Sequence, residues 1–323
     1  MFSSSITRLS KITKKTPKNE IQEILSELSN EIHDNMKDQQ AYIVLNLIEV
    51  LSQRFQDSPD IYEFSYDLCK YIIDNVTVQI FPKVAAILFR ISNNTSKWKI
   101  KVGSLDLINY FIEKVEKFDR DLLSASLCDL IPEFGNFIHD TKKEVSESSI
   151  RALNNAMKGI TNKDIEPFIP HIINAMINPE QNEETIQKLG GVVFVQTIES
   201  SALSVIVPLM ETGLRHNKYD INRLSARIVS NMAKLVEDPV EAKPFLDTLI
   251  DSMAHCKETI SHPEVREVVT TTHATLLNID NQAKRALQSE GTKYRNGDNV
   301  YHYIKNIGSK TVFEYKFISY NLD

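Results

Sequence analysis

The sequence predicts an all-helical protein built from stacked helix pairs, and three observations support this prediction. Glycine is scarce, at nine of 323 residues, whereas folds that depend on tight turns and phosphate-binding loops use glycine freely. Apolar residues recur at helical spacing along most of the chain. A landmark dipeptide also recurs at nearly constant spacing, which indicates an internal repeat.

The landmark lies near the middle of the first helix of each predicted pair. Successive landmarks are 38, 38 and 43 residues apart, at Ile131-Pro132, Ile169-Pro170, Val207-Pro208 and Ile250-Asp251. Phe81-Pro82 is a candidate for an earlier unit, 50 residues before Pro132. The period is close to the roughly 40–47 residues of HEAT and armadillo units. Because a proline inside a helix bends it, its recurrence predicts a shared bend in a HEAT-type α-α superhelix, or solenoid.

The unit at residues 120–157 shows why such a repeat must stack. One apolar stripe runs from Leu122 to Phe137, and a second runs from Val145 to Met157. Asp140-Thr141 lies between them as a polar stop and a candidate cap for the second helix. A single pair cannot bury its apolar face alone, so neighbouring pairs are expected to pack against each other.

The chain divides into three predicted regions. Residues 1–19 carry five lysine or arginine residues and no acid, which predicts a disordered basic arm or, alternatively, a mitochondrial targeting segment. Residues 20–282 form the predicted HEAT array, clearest over 76–280, with degenerate repeats at 20–75. Residues 283–323 are rich in aromatic and β-branched residues, and we expect a C-terminal extension folded as a β-hairpin or an irregular tail.

No catalytic, cofactor or metal site is predicted. Cys69, Cys128 and Cys256 are far apart in sequence and are expected to be buried thiols in a reducing compartment. His255, Cys256 and His262 lack a fourth ligand for zinc. No apolar run reaches the roughly 18 residues of a membrane span, so the cytoplasm is the expected location. The net charge of −6 argues against wholesale wrapping of nucleic acid but permits a local basic face.

Seven motifs, collinear over roughly residues 75–280, carry a more specific resemblance. They are Asn94–Lys101, Asp140–Val145, Asn162–Pro170, Val205–Leu209, Asn231–Pro239, Pro244–Leu246 and Pro263–Val268. Together they resemble the N-terminal HEAT domain of the fungal-type translation elongation factor three. The related region of the large ribosome-bound scaffold that activates the starvation-responsive kinase is a weaker match.

The resemblance implies docking and does not imply catalysis. In that family the HEAT domain contacts the small ribosomal subunit, and a downstream pair of ATP-binding cassettes with an inserted chromodomain drives release of deacylated tRNA. This sequence ends at Asp323, and its nearest approach to a Walker A loop, Gly308-Ser309-Lys310-Thr311, lacks the first glycine. We therefore expect a monomeric, non-enzymatic adaptor that binds the ribosome or a translation factor. The alternatives are a protein scaffold unrelated to translation and the HEAT subunit of a split ATPase.

The candidate partner-binding residues are basic or aromatic and lie at turns or at the starts of second helices. They are Lys97, Trp98, Lys99, Lys101, Lys142, Lys143, Arg215, Lys218, Arg223 and Arg227. In a stacked array such positions align along one edge, where lysine and arginine side chains can contact phosphates. The more ordinary interpretation is that Trp98 packs between hairpins and that the cations are solvated surface charge. In the tail, alternating basic and tyrosine residues suggest either an RNA-binding segment or a strand with one packed face.

Overall fold

A computed structural model describes residues 3–13, 16–35 and 41–294, and over these residues the protein consists of α-helices joined by turns and short 3-10 segments. The helices are α1 Ser3–Ser10, α2 Lys18–Asn35, α3 Ala41–Ser52, α4 Pro59–Asn75, α5 Phe81–Asn93, α6 Trp98–Phe118, α7 Arg120–Ile138, α8 Lys143–Ala156, α9 Ile169–Ile177, α10 Asn182–Leu189, α11 Ser200–Leu214, α12 Tyr219–Ala233, α13 Pro239–Thr259 and α14 Pro263–Tyr294. The prediction of an all-helical protein is confirmed.

The described residues form two compact units, one within residues 3–123 and 133–158 and the other within residues 124–132 and 159–294. In the first unit the first helices α1, α3 and α5 pack side by side, and so do the second helices α2, α4, α6 and α8. In the second unit α9, α11 and α13 form one layer, and α10, α12 and α14 form the other. Each unit is therefore a two-layer stack of helical hairpins, which is the arrangement that HEAT repeats use to bury their apolar faces.

Aromatic rings fill the core of the first unit. Phe55, Phe81, Phe111 and Phe134 are fully buried. Phe81 meets Phe111 nearly edge-on with ring centroids 5.2 Å apart, and Phe89 meets Phe134 in the same way at 5.3 Å. Edge-to-face packing at such distances is favourable for aromatic pairs, so these contacts link α5 to its neighbours α6 and α7.

Side chains from neighbouring helices satisfy the backbone carbonyls at helix ends. Lys114 of α6 donates from Nζ to the carbonyls of Ile73, Asp74 and Val76 at the end of α4, at 2.6–2.9 Å. Asn222 of α12 shares its two Nδ2 hydrogens among three carbonyls at and just beyond the end of α11, those of Gly213, Leu214 and His216. The last carbonyls of a helix have no partner within that helix, so these side chains join the second helix of a hairpin to the end of another helix.

The prolines do not produce one shared bend. Pro132 and Pro208 lie inside α7 and α11, as the repeat predicts. Pro170, however, lies in the first turn of α9, and Pro82 lies in the first turn of α5. A proline in the first turn removes no helical hydrogen bond, so the predicted bend is wrong for those two units.

The N-terminal residues are more ordered than the sequence suggested. Residues 3–10 form α1, Leu9 is fully buried, and Ser5 donates from Oγ to Glu31 Oε1 at 2.9 Å. Arg8 also forms an ion pair with Glu27 of α2. An eight-residue helix is not stable alone, and its packing against α2 and α3 supplies the stability that its weak apolar face did not predict. Residues 3–10 are thus helical in the structure, where the sequence favoured a disordered arm.

At the other end, α14 continues beyond the predicted boundary at residue 282. Its helix runs to Tyr294, and Ala283 is fully buried. Residues 295–323, which contain most of the expected β-hairpin or irregular tail and most of its basic and tyrosine residues, lie outside the described residues.

Apolar character is concentrated in a few helices. Among the described residues no single helix is long and apolar enough to span a membrane; α4 and residues 78–93 meet that criterion only as a pair, bent by 119°. The short apolar helix α11 buries most of its side chains in the second unit.

Candidate functional site

The chain leaves α5 at Asn94 and enters α6 at Trp98. Lys97 is the N-cap residue, with extended backbone angles, and its amide donates to Thr95 Oγ1 at 3.1 Å. In this first turn only Ile100 is buried, so it fixes the rotation of α6 about its axis. Lys97, Trp98 and Lys99 are consequently exposed, and 37% of Trp98 is accessible to solvent.

Asp140 connects this turn to the equivalent turn before α8. Its Oδ1 accepts a hydrogen bond from the amide of Lys142 at 2.9 Å, and its Oδ2 accepts one from Lys101 Nζ at 2.7 Å. Burial opposes ionisation of this carboxyl, but the Lys101 ammonium and the Lys142 amide outweigh burial, so the pKa of Asp140 lies below its ordinary value. Lys101, half-buried over the Phe137 ring, is thereby a structural residue.

Polar contacts fix the register between α6 and α8, which run side by side in the same direction. Arg151 Nη2 lies 3.0 Å from Asp106 Oδ1, and Asn155 Nδ2 donates to Asn109 Oδ1 at 2.8 Å. Residues 45–46 apart are therefore level with each other. With this offset Lys97 lies level with Lys142, and Trp98 lies level with Lys143. Packed helix axes are roughly 8–10 Å apart, so the two helix starts form one surface.

We call this surface, formed by Lys97, Trp98, Lys99, Lys142 and Lys143, the basic edge. Within the described residues, the ammonium groups of Lys97 and Lys142 form no ion pair. Lys99 Nζ lies 6.0 Å from the centroid of the Trp98 ring. Lys143 is 3.4 Å from Glu147, but both side chains are exposed, and such pairs contribute little.

The basic edge carries an excess of positive charge. Residues 94–101 and 139–147 together hold five lysines and three carboxylates. One carboxylate, Asp140, is already engaged by Lys101. The N-termini of α6 and α8 add partial positive charge from their backbone amides. The arrangement can therefore bind an extended polyanion by charge and by an aromatic surface.

The predicted residues of the second unit are Arg215 just after α11, Lys218 just before α12, and Arg223 and Arg227 within α12. We call them the α12 cations, and they engage neighbouring groups. Lys218 Nζ is 2.6 Å from Glu183 Oε2, and this contact lowers the pKa of Glu183. Arg227 donates to the carbonyl of Gly190 at 2.6 Å, at the end of α10. Arg215 and Arg223 are each within 4 Å of a carboxylate on their own helix or the adjoining turn. Lys218 and Arg227 are thus less available to a partner than the basic edge, whereas the Arg215 and Arg223 pairs are exposed and contribute little.

Sequence reasoning missed a non-helical segment at residues 190–199 that hydrogen bonds tie to residues 162–164. Asp164 Oδ2 accepts hydrogen bonds from the amides of Val195 and Gln196 at 2.7 and 2.8 Å. Buried Asn162 donates to the carbonyl of Thr197 at 3.0 Å. As a result Val193 and Val195 are held outward, 79% and 70% exposed. The signal in the sequence was the pair Gly190-Gly191 followed by an apolar run without helical spacing.

The described residues offer no cluster of three or more histidine, cysteine or carboxylate side chains that could hold a metal ion. Cys69 and Cys256 are buried, and burial raises the pKa of both thiols, that of Cys256 to about 11. A small apolar cavity of about 20 Å³ lies among α11, α12, α13 and α14. Its volume is about that of one water molecule.

Two family models match this chain. Residues 11–153 match the EF3 N-terminal HEAT repeat, and residues 180–287 match the elongation factor 3/GNC1 HEAT repeat. The chain belongs to the elongation factor 3 family of HEAT-repeat domains. The first match begins at residue 11, so the family relationship reaches further towards the N-terminus than the resemblance seen over residues 75–280.

Relatives that are named elongation factor 3 agree with this assignment. Elongation factor 3 of Pneumocystis carinii is 37% identical over 201 residues, which cover 61% of this chain and 19% of that protein. Elongation factor 3B of Saccharomyces cerevisiae is 32% identical over 240 residues, which cover 74% of this chain and 23% of that protein. Elongation factor 3 of Gonapodya prolifera is 28% identical over 274 residues, which cover 84% of this chain and 25% of that protein. The chain spans about a fifth to a quarter of the length of these relatives.

The basic edge lies within the elongation factor 3 N-terminal HEAT match, and the α12 cations lie within the second match. The matched region is a translation-related HEAT-repeat region.

Proposed function

We propose that this elongation factor 3-type HEAT domain docks on the small ribosomal subunit through the basic edge and performs no chemistry itself. The observation that carries the proposal is the alignment of exposed lysines at the starts of two adjacent parallel helices, α6 and α8. It is supported by the relatives, which are named translation elongation factors. In this proposal the domain acts as a cytoplasmic monomer.

The physical basis is attraction to ribosomal RNA phosphates. Lysines that neutralise phosphates release bound counterions, so binding weakens steeply with salt. The Lys101–Asp140 ion pair fixes the two turns relative to each other, which reduces the ordering that binding requires. An RNA partner therefore meets a cationic surface already in place.

The test is co-sedimentation of the full chain with purified small subunits and whole ribosomes at 50 and 200 mM salt. We expect binding at the lower concentration and a clear loss at the higher one. The variant Lys97→Gln/Lys142→Gln should lower the slope of log affinity against log salt by about 1–2, since each phosphate contact contributes about 0.7–0.9.

The matched control removes two lysines at the opposite ends of the same helix pair, in Lys117→Gln/Lys158→Gln. Lys117 lies near the end of α6, and Lys158 follows α8. The control has the same change in net charge, so it should bind like the unaltered protein. Absence of co-sedimentation at 50 mM salt, or equal loss in both double variants, contradicts docking through the basic edge.

A protein-binding scaffold is the second candidate, favoured by the outward valines Val193 and Val195. Affinity capture with the full chain and with Val193→Ser/Val195→Ser distinguishes the two. Under this alternative, capture returns proteins unconnected with ribosomes, and the valine variant loses them.

A further inference from the structure

Trp98 lies at the surface of the first unit, as Tyr42, Phe64 and Phe118 also do. Phe55, Phe81 and Phe111 are fully buried, whereas Trp98 is the first residue of α6 and is more than one-third exposed. It makes no ring-to-ring contact within the described residues, and the nearest cation over its ring is Lys99. An isolated exposed apolar residue is ordinary, so exposure alone assigns nothing to it.

The surroundings of Trp98 are what distinguish it. Lys97 precedes it, Lys99 follows it, and the α6–α8 register places Lys143 level with it across the interhelix groove. An indole on a helix start flanked by lysines offers a flat π surface together with several charges that attract phosphate. Proteins that bind single-stranded nucleic acid combine these two elements, with bases stacked on aromatic rings and the backbone following a positive groove.

We propose that Trp98 stacks on an unpaired RNA base while Lys97, Lys99 and Lys143 contact the flanking phosphates. This inference rests on the proposed docking function and specifies the chemical nature of the contact: a single-stranded nucleotide at the surface of a folded RNA. An unpaired base exposes its face, whereas the bases within an RNA duplex are stacked and their major-groove edges are out of reach. An acidic peptide would satisfy the lysines but would leave the indole without a planar partner.

The local structure holds the indole in place before binding. Ile100, two residues further along α6, is buried and fixes the helix rotation. The Lys101–Asp140 ion pair holds the start of α6 against the turn that precedes α8. Because the ring stands on the first turn of a helix that is packed along most of its length, stacking requires little ordering of the backbone.

Trp98 is the single tryptophan of the chain, so its fluorescence reports on this site alone. The full chain is titrated at 50 mM salt with a single-stranded oligouridylate, a duplex RNA of equal length and an abasic ribose-phosphate oligomer. Binding is measured in parallel by anisotropy of labelled oligomers. We expect the oligouridylate to quench the emission and the abasic oligomer to bind more weakly without comparable quenching.

Two substitutions complete the test. Trp98→Ala should weaken oligouridylate binding by about 5- to 150-fold, the effect of losing one stacked base, and Trp98→Phe should recover most of it. Far-UV circular dichroism of both variants checks that the helices are intact. Lack of oligouridylate binding, binding without quenching, an affinity for Trp98→Ala within twofold of the unaltered protein, or equal quenching by polyglutamate would each overturn the stacking proposal.

Failure of this proposal is distinguishable from failure of ribosome docking. If the protein co-sediments with ribosomes in a lysine-dependent manner but the oligouridylate leaves Trp98 emission unchanged, docking stands and stacking is refuted. If the oligouridylate quenches Trp98 but no ribosome binding is seen, the base contact stands and the proposed ribosomal function is wrong.

Discussion

Gly103 lies where α6 approaches the corner between α3 and α4, and replacing it with alanine tests how tightly this corner is packed. An added Cβ would lie 2.9 Å from Phe55 Cε2 and 3.0 Å from Phe55 Cγ, and still closer to Cδ2. Ordinary carbon contacts begin near 3.4 Å. The Phe55 ring would therefore have to retreat by about 1 Å for its nearest carbon to reach ordinary contact.

The ring has little room for that movement. Phe55 is fully buried, with Tyr62 and Tyr66 at centroid distances of 5.2 and 5.8 Å. Overpacking of this kind costs about 1–3 kcal/mol, whereas the exchange of glycine for alanine inside a helix contributes about 1 kcal/mol in its favour. Because the closest contact is far inside ordinary carbon distance, we place the overpacking cost at about 2–3 kcal/mol. We therefore expect Gly103→Ala to lower the free energy of unfolding by about 1–2 kcal/mol.

Gly135 of α7 provides the matched control in the same unit, since an added Cβ there would meet nothing within 4 Å. Gly135→Ala should raise the free energy of unfolding by about 0.5–1 kcal/mol. Urea unfolding followed by circular dichroism and by Trp98 emission measures both variants, and the emission reports on the first unit. A second variant, Gly103→Ala/Phe55→Leu, should recover part of the lost stability.

The reasoning is refuted if Gly103→Ala is as stable as the unaltered protein or more so. It is also refuted if the two glycine variants change stability equally, because only helix propensity would then be acting.

Two further predictions concern polar groups that hold helix ends. Asn222→Asp replaces the amide donor facing three carbonyls at the end of α11 with a carboxylate. Thermal unfolding should show that the free energy of unfolding falls by roughly 2–3 kcal/mol. The control Asn217→Asp, at an exposed position in the nearby turn, should change it by less than about 0.5 kcal/mol. The pKa of Asp140 is lower in the folded protein than its unfolded value near 3.8. Its contribution to stability is therefore present above the unfolded pKa and disappears as the pH falls through the folded pKa. The stability difference between the unaltered protein and Asp140→Asn should accordingly shrink between about pH 5 and pH 3 in urea titrations, and a constant difference would contradict the assigned role.

The helical repeat could be predicted because its signal is local. Apolar residues three and four positions apart form a stripe whatever the rest of the chain does, and the 38-residue spacing appears directly in the letters. The same reasoning placed Lys97 and Lys142 at the starts of second helices, and in the structure they are the N-cap residues of α6 and α8. The resemblance to elongation factor 3 was also visible in local sequence motifs.

Relations between helices could not be predicted in this way. Eight weakly apolar residues at the N-terminus became α1 only because α2 and α3 cover Leu9. Pro170 matched the spacing of the repeat but lies in the first turn of its helix, because α9 begins only one residue earlier. Whether the cations of α12 were free depended on Glu183 and Gly190, more than 30 residues away.

The amino-acid sequence was therefore enough to predict helical hairpins of a translation-related family, with Lys97 and Lys142 at the starts of second helices. The packed helices were needed to show that Lys97 lies level with Lys142, that Trp98 is exposed between lysines, and that Lys101 forms an ion pair with Asp140. The physical reason is that helix formation depends on neighbours within about four residues, whereas the register of two helices is set by side chains about 45 residues apart that meet only after the hairpins have stacked.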